Sequence, residues 1–350
     1  MSSPPTQATR VTLAERPIDN ITSSTFKVEK VPIESNLKPG HALIRVDYVS
    51  IDPAMRGWLR DVRSYLPPVQ IGETMRAGGI GTVIKVAEGV TKAKVGDVLS
   101  GMVGWTDYTE LDTDKAQNLT SRFPDSTKED YLESLGGMVS MTAYFGLMEI
   151  GKIKPGETVV VSGAAGATGS VVVQLARIFG AGKVIGIAGG QDKCLYVEKE
   201  LGADKCLDYK SPEFENAFTK EVGLLDVYFD NVGEDILDLA LRHLKKFARV
   251  VLCGSIATYN QVQPKGIRNY NQLTRQSATA GGFIVFDYAS RFGEALGALR
   301  KWTQEGKLKR MKFHVEQGLE SCPDHLKTIF SGVNMGKMIV NISSIDPGLI

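Results

Sequence analysis

Thr158-Val-Val-Val-Ser-Gly163-Ala-Ala-Gly166-Ala-Thr-Gly169-Ser170 is a β-branched run that ends in small residues and opens into an apolar segment. Thr158–Ser162 reads as a short buried strand and Ser170–Phe179 as the helix that follows it. Between them Gly163, Gly166 and Gly169 are spaced G-x-x-G-x-x-G. A strand feeding such a turn reverses tightly, brings bare backbone close to a pyrophosphate, and aims the N–H groups and dipole of the helix at its charge. The spacing is not the usual G-x-G-x-x-G, so the flanking strand and helix carry the assignment. They favour nucleotide binding by Gly166, Ala167, Thr168 and Gly169 over a small-residue turn that only packs a helix on a strand.

Working outward, the strand Lys183–Ala188, helical Lys193–Leu201, a short segment near Lys205–Asp208, and the runs Val227–Asp230 and Arg249–Cys253 alternate as repeated βαβ units. A parallel, doubly wound sheet is expected, an α/β Rossmann nucleotide domain. Tyr131–Ile150 precedes it and is long enough for a helix. A loop from Gly254 to about Ala280 follows, then the apolar run Gly281–Phe286 and an amphipathic helix with Phe292, Leu296, Leu299 and Trp302 on one stripe, ending at Gly306. From Val11 to about Lys115 the pattern changes to strand and turn. Ala42, Ile44, Val46 and Tyr48 alternate with polar residues, and Gly79–Val86 and Val95–Val103 are short apolar runs. The last forty residues return to that character. The expected organisation is a discontinuous β-rich domain, 1–130 with 311–350, around a nucleotide domain at 131–310, with the active site in the cleft between them.

Composition narrows the function classes. Of 350 residues, 43% are hydrophobic and 23% charged, and 41 cations against 40 anions give +1. Such a chain has no global field to draw it to nucleic acid or anionic lipid, so small molecules or copies of itself are the expected partners. Thirty-seven glycines, about one residue in ten, exceed the average near 7% and fit many tight turns and close backbone approaches. The cysteines Cys194, Cys206, Cys253 and Cys322 form no C-x-x-C pair and read as reduced thiols. No apolar signal segment opens the sequence and no run of 18 apolar residues occurs, so a cytoplasmic location is the expectation.

The end of the second strand selects the nucleotide. NAD proteins usually place an acid there for the ribose 2′-hydroxyl. Here the sequence is Ala188-Gly-Gly-Gln-Asp-Lys193. Lys193 can pair with a 2′-phosphate, which favours NADPH, although the adjacent Asp192 can still serve NAD.

Taken together, these features resemble the medium-chain dehydrogenase/reductase superfamily, with its GroES-like β-rich catalytic domain. Several stretches are similar to its zinc-independent leukotriene dehydrogenase, prostaglandin reductase and plant double-bond reductase family. They are Ser50-Ile-Asp-Pro-Ala-Met-Arg-Gly57, Gly96-Asp-Val, Thr142-Ala-Tyr-Phe-Gly-Leu-Met-Glu149, Gly163–Ser170, Phe229-Asp-Asn-Val-Gly233, Cys253-Gly-Ser-Ile-Ala-Thr-Tyr-Asn260, Gly282-Phe-Ile-Val285 and Asn334-Met-Gly-Lys337, in order over nearly the whole chain. The resemblance implies that Lys193 and Tyr209 contact the 2′-phosphate. It implies that Asn231 and the stretch from Cys253 through Ser255 to Tyr259 line the adenosine-to-nicotinamide path, and that Phe283, Val285 and Asn334 hold the nicotinamide end. Thr142 is a further nicotinamide contact.

Zinc members of the superfamily need cysteine, histidine and glutamate ligands. The stretch matching the first ligand reads Ile51-Asp52-Pro53, no cysteine precedes residue 194, and His41, His243, His314 and His325 are scattered. No metal is expected. Alcohol oxidation then lacks its usual activator, whereas reduction of a polarised C=C needs less. Hydride goes to the β-carbon of an enone or enal, and the carbonyl oxygen that turns negative needs a hydrogen-bond donor. Tyr259, whose phenol is ordinarily protonated at neutral pH, fits that role, with a tyrosine that only packs on the cofactor as the alternative. The expected activity is NADPH-dependent reduction of α,β-unsaturated aldehydes or ketones. A quinone reductase and a non-catalytic NADPH-binding protein are the alternatives.

Four further features complete the reading. Arg56 either orients phosphate or substrate or lies at the surface or between domains. Lys307–Lys312 is a solvated helix end rather than a nucleic-acid patch. Trp58, Tyr65, Met102, Val103 and Trp105 border the substrate cavity or belong to the core, and Met102 and Val103 stand where the family carries aromatics. Gly281–Phe286 is the expected edge strand of a homodimer.

Overall fold

The structure is a computed structural model describing residues 5–122, 127–346 and 348. It comprises two compact units, residues 1–135 with 313–333 and 337–350, and residues 136–312 with 334–336.

In the first unit Gln7–Leu13 pairs antiparallel with Phe26–Pro32. A seven-stranded sheet follows the order Phe313–Gln317, Lys337–Asn341, His41–Ser50, Gly78–Val86, Val98–Met102 and Gln117–Asn118, with Tyr108–Asp112 added to His41–Ser50. The alternation in His41–Ser50 predicts one buried face, but the strand is buried from Ala42 to Ser50. Ala42, Ile44 and Val46 enter a core with Val11 and Trp105. On the other face Arg45 Nε donates to Asp47 at 2.7 Å and Thr82 Oγ1 donates to the same carboxylate at 2.5 Å. A break in register between Val46 and Tyr48 then shifts the phase. Tyr48 therefore leaves that stripe and packs with Ile80, Leu132 and Ile339 instead.

Arg56 is not a surface residue. It is fully buried, and its guanidinium donates to the backbone carbonyls of Asp19 at 2.5 and 3.2 Å and Pro17 at 3.3 Å. Burial, with Arg60 nearby, brings its pKa down to about 10. It ties the helix Met55–Trp58 to the N-terminal segment. Trp105 and Val103 belong to the core, whereas Met102 and Tyr65 are exposed.

The second unit holds six parallel strands, β1 (Thr158–Ser162), β2 (Lys183–Ala188), β3 (Lys205–Asp208), β4 (Leu225–Asp230), β5 (Leu244–Leu252) and β6 (Thr279–Gly282), in the order β3-β2-β1-β4-β5-β6. Val159–Val161, Ile185, Ile187, Tyr228 and Phe229 are buried, as a parallel sheet covered on both faces requires. Sheet order reverses between β1 and β4, and the crevice beyond the carboxyl ends of those strands is where this topology receives ligands. The helix expected over Tyr131–Ile150 is two pieces, an α-helix at Lys128–Phe145 and a π-helical segment at Gly146–Gly151. Gly281–Phe286 is not one strand. Pairing stops at Gly282, Val285 is buried at the start of a 3₁₀ segment, and a Cβ built on Gly146 would stand 2.9 Å from the Phe283 ring. The apolar run therefore fills the unit's interior as well as its edge. No helix among the described residues is long and apolar enough to cross a membrane.

One side chain knits the strand ends. Asp230 is 1% exposed, and its Oδ1 accepts from Ser162 Oγ at 3.0 Å, Tyr228 Oη at 3.2 Å, and the N–H groups of Val232 and Gly233 at 3.2 and 3.1 Å. Its carbonyl takes the N–H groups of Cys253 and Gly254. Burial pushes its carboxyl pKa up, opposed by those N–H bonds. Stability therefore falls slightly as pH rises from the ordinary aspartate value through the raised folded one, and is level above it. Asp230→Ala strands several buried donors, so urea unfolding should show a loss of about 3 kcal/mol, and Asp230→Asn, which keeps an oxygen there, a smaller one.

Candidate active site

The glycine turn after β1 has the shape its sequence implies. Gly163 sits at φ +60, a conformation open to glycine, and Gly166 N–H closes the turn on its carbonyl at 2.9 Å. Gly166 is the extended residue that caps the helix Ala167–Ile178. A Cβ on Gly169 would collide with the Gly163 carbonyl oxygen, so this position admits no side chain. Asn334–Gly336 is laid against the turn, with Gly336 N–H donating to the Ala165 carbonyl at 2.8 Å. Gly336, at φ +75, has the Lys312 carbonyl where a Cβ would stand. Asn334 is thereby brought close to Gly166 although 168 positions separate them in sequence.

At the ends of β2 and β3 a second group forms. A Cβ on Gly189 would meet the Tyr209 ring at 2.7 Å and Lys210 Cε at 3.0 Å. Asp208 holds the loops in place, its Oδ1 accepting from Gly190 N–H at 2.8 Å and Lys210 N–H at 3.0 Å. Lys193 lies in the short helix Gln191–Leu195. Burial, and then the neighbouring Lys210 ammonium, hold its pKa below the usual lysine range. Two cations close enough to repel one another suit a multiply charged anion. Lys210 was not singled out in the sequence, although it directly follows Tyr209 at the end of a short strand.

The third group stands at the ends of β4 and β5. Asn231 Nδ2 donates to the Ser162 carbonyl at 2.7 Å, which fixes the amide. Burial and the nearby Asp230 carboxylate push the Cys253 thiol up to about 12, so it stays protonated and is no nucleophile. Ser255 N–H donates to the Tyr259 hydroxyl at 3.3 Å, folding the phenol back over its own loop. Phe283 and Val285 follow β6; Val285 is buried, and the half-buried Phe283 ring packs beside Gly146. Thr142 lies on the helix Lys128–Phe145, where its hydroxyl donates to the Met138 carbonyl at 2.9 Å. Among the described residues no group of three or more histidine, cysteine, aspartate or glutamate side chains is placed to hold a metal ion.

A bare turn at the switch point and paired lysines at the end of the second strand suit a dinucleotide that carries a 2′-phosphate, and this is a dinucleotide-binding fold of the dehydrogenase type. Residues 9–119 match the family model described as the N-terminal domain of oxidoreductase, and residues 167–301 the one described as zinc-binding dehydrogenase. YfmJ of Bacillus subtilis, named as an NADP-dependent oxidoreductase, is 38% identical over 97% of this chain and 98% of its own. The NADP(+)-dependent 2-alkenal reductase of Nicotiana tabacum is 34% identical over 91% and 93%. CurA from Vibrio vulnificus, solved in complex with NADPH, is 35% identical, with a TM-score of 0.88 over 96% of this chain and 99% of that one. The chain belongs to the zinc-independent branch of the medium-chain dehydrogenase/reductase family and is an NADPH-dependent oxidoreductase.

A phosphate between Lys193 and Lys210 raises the proton affinity of Lys193, so binding is tightest below the depressed lysine pKa. In a fluorescence titration, NADPH affinity should fall as pH rises through that range while NADH affinity stays level. Lys193→Ala should weaken NADPH by about 1–3 kcal/mol and leave NADH nearly unchanged. Equal losses for both would assign Lys193 to the fold.

Proposed function

We propose that this protein reduces the C=C bond of α,β-unsaturated aldehydes or ketones, with Tyr259 as the donor that stabilises the developing enolate. The observation that carries the reading is the seat of the Tyr259 phenol. It lies over the loop that leaves β5 and accepts a backbone N–H from Ser255, which polarises its O–H and makes it a stronger donor. A donor pre-aimed by its own loop costs no reorganisation when charge develops on a carbonyl oxygen.

NADPH, when bound, supplies the hydride that goes to the β-carbon, and a proton delivered to the α-carbon completes the reduction. The chain's own residues do the rest. Backbone groups at Gly166, Ala167, Thr168 and Gly169 receive the pyrophosphate. Lys193, Lys210 and Tyr209 hold the 2′-phosphate. Asn231, Cys253 and Ser255 line the path to the nicotinamide end, where Phe283, Val285 and Asn334 close it, with Thr142 a further contact. Tyr259 donates to the substrate oxygen. Support for an enal or enone comes from the 2-alkenal reductase relative.

Following NADPH consumption at 340 nm with an alkenal, a quinone and no acceptor tests the substrate class. Preference for the alkenal supports the proposal, preference for the quinone replaces it, and no turnover with either makes the protein a binder. Tyr259→Phe keeps the ring and removes the donor, so kcat should fall by up to about 10²–10³ with NADPH affinity near wild type. An unchanged kcat, or joint loss of NADPH binding, would make Tyr259 a cofactor-packing residue.

We also propose a homodimer formed through β6, the exposed last strand of the sheet, whose Thr279 and Ala280 face solvent. Such an edge is a template for a second copy. Sedimentation at micromolar concentration should give twice the chain mass, and a monomer there would exclude this pairing.

A further inference from the structure

The turn that leaves β4 contains two consecutive left-handed residues, Gly233 at φ +80 and Glu234 at φ +46. Glycine adopts this conformation freely, but a glutamate does not, and a strained non-glycine residue persists where its surroundings hold it. What holds Glu234 is the loop that carries Tyr259. Its Oε2 accepts from Gln261 Nε2 at 2.8 Å and its Oε1 from Lys265 N–H at 3.1 Å. Gln261 Nε2 also donates to the Ala257 carbonyl at 2.9 Å, so the glutamate reaches back to the 3₁₀ turn Ile256–Thr258 just before Tyr259. The near end of that turn is tied to the same segment, Ile256 N–H to the Asn231 carbonyl and Ala257 N–H to the Val232 carbonyl. The bare Cα of Gly233 faces Ser255, whose Cβ would lie 3.0 Å from a Cβ built there. Tyr259 is thus the middle of a short arch, with one foot bonded to the backbone of 231–232 and the other to the carboxylate of Glu234.

We infer that Glu234 is a positioning residue for the reduction, clamping the far end of the arch so that the Tyr259 hydroxyl is held where the substrate oxygen arrives. The inference rests on the reading of Tyr259 proposed above. Glu234 touches neither the hydroxyl nor any reacting atom and acts only through Gln261 and the arch. The strain at φ +46 accompanies a carboxylate that reaches both Gln261 and the Lys265 N–H.

The test uses the full chain with NADPH and an alkenal that the wild type reduces. Glu234→Gly adopts the left-handed conformation without strain, so thermal stability should hold, while kcat falls about 10- to 100-fold and NADPH affinity stays within about twofold. Glu234→Gln keeps one acceptor and should recover part of the loss. Hydrogen exchange at residues 257–269 should rise in Glu234→Gly. In a Tyr259→Phe background Glu234→Gly should cost no further kcat, because the group it positions is gone. If Tyr259→Phe lowers kcat but Glu234→Gly does not, or if the two losses multiply, the clamp is refuted while Tyr259 stands. If Tyr259→Phe alone leaves kcat unchanged, the reading of Tyr259 fails and the positioning role with it.

Discussion

A single buried carboxylate governs the functional edge of the second unit. Among the described residues no cation hydrogen-bonds the Asp230 carboxylate; two hydroxyls and two backbone N–H groups converge on one of its oxygens. Hydrogen bonds to a charged acceptor are the stronger kind, and in a low-dielectric interior four of them can hold an ion that solvent does not reach. The consequence is geometric. The Ser162 end of β1, the turn Asn231–Gly233 and, through the Asp230 carbonyl, the start of the loop after β5 are drawn to one point. Everything placed at the switch point, from the glycine turn to the arch around Tyr259, takes its position from there.

Electrostatics at the other end of the edge run the opposite way. Lys193 lies near enough to Lys210 to feel its charge, with the Asp208 carboxylate committed to backbone N–H groups. A multiply charged anion would offset that repulsion in such an arrangement. Gly189 makes it possible, since any side chain there would push Tyr209 and Lys210 away.

The first unit uses buried charge for packing. Arg45 with Asp47 and Thr82, and Lys337 with Ser50 and Asp52, are ionic groups enclosed by the sheet, while the Arg56 guanidinium donates to backbone carbonyls. Breaking such a group by removing one partner is costly even where the intact pair contributes little, so these residues specify the arrangement of the chain more than they stabilise it.

Local pattern was enough to reveal the α/β class, the glycine turn, and the strands Thr158–Ser162, Lys183–Ala188 and Lys205–Asp208, because a β-branched run, a bare turn and an apolar helix each have a short-range signature. Side-chain fate was not legible. Arg56 reads as a surface or domain-pairing arginine because no local rule tells a guanidinium that donates to distant carbonyls from a solvated one. Tyr48 left its stripe because a bulge has no mark in an alternating sequence. Gly281–Phe286 read as a single strand because apolar residues filling an interior and apolar residues forming an edge look alike in one dimension. Lys210, Asp230 and Glu234 acquire meaning only when β3, β4 and the loop after β5 are side by side. The sequence by itself determined what the backbone can do locally, through propensity, period and the absence of Cβ atoms. The tertiary structure alone decided which charges face each other and which hydrogen bonds close, since these depend on groups tens to hundreds of residues apart being brought within 3 Å.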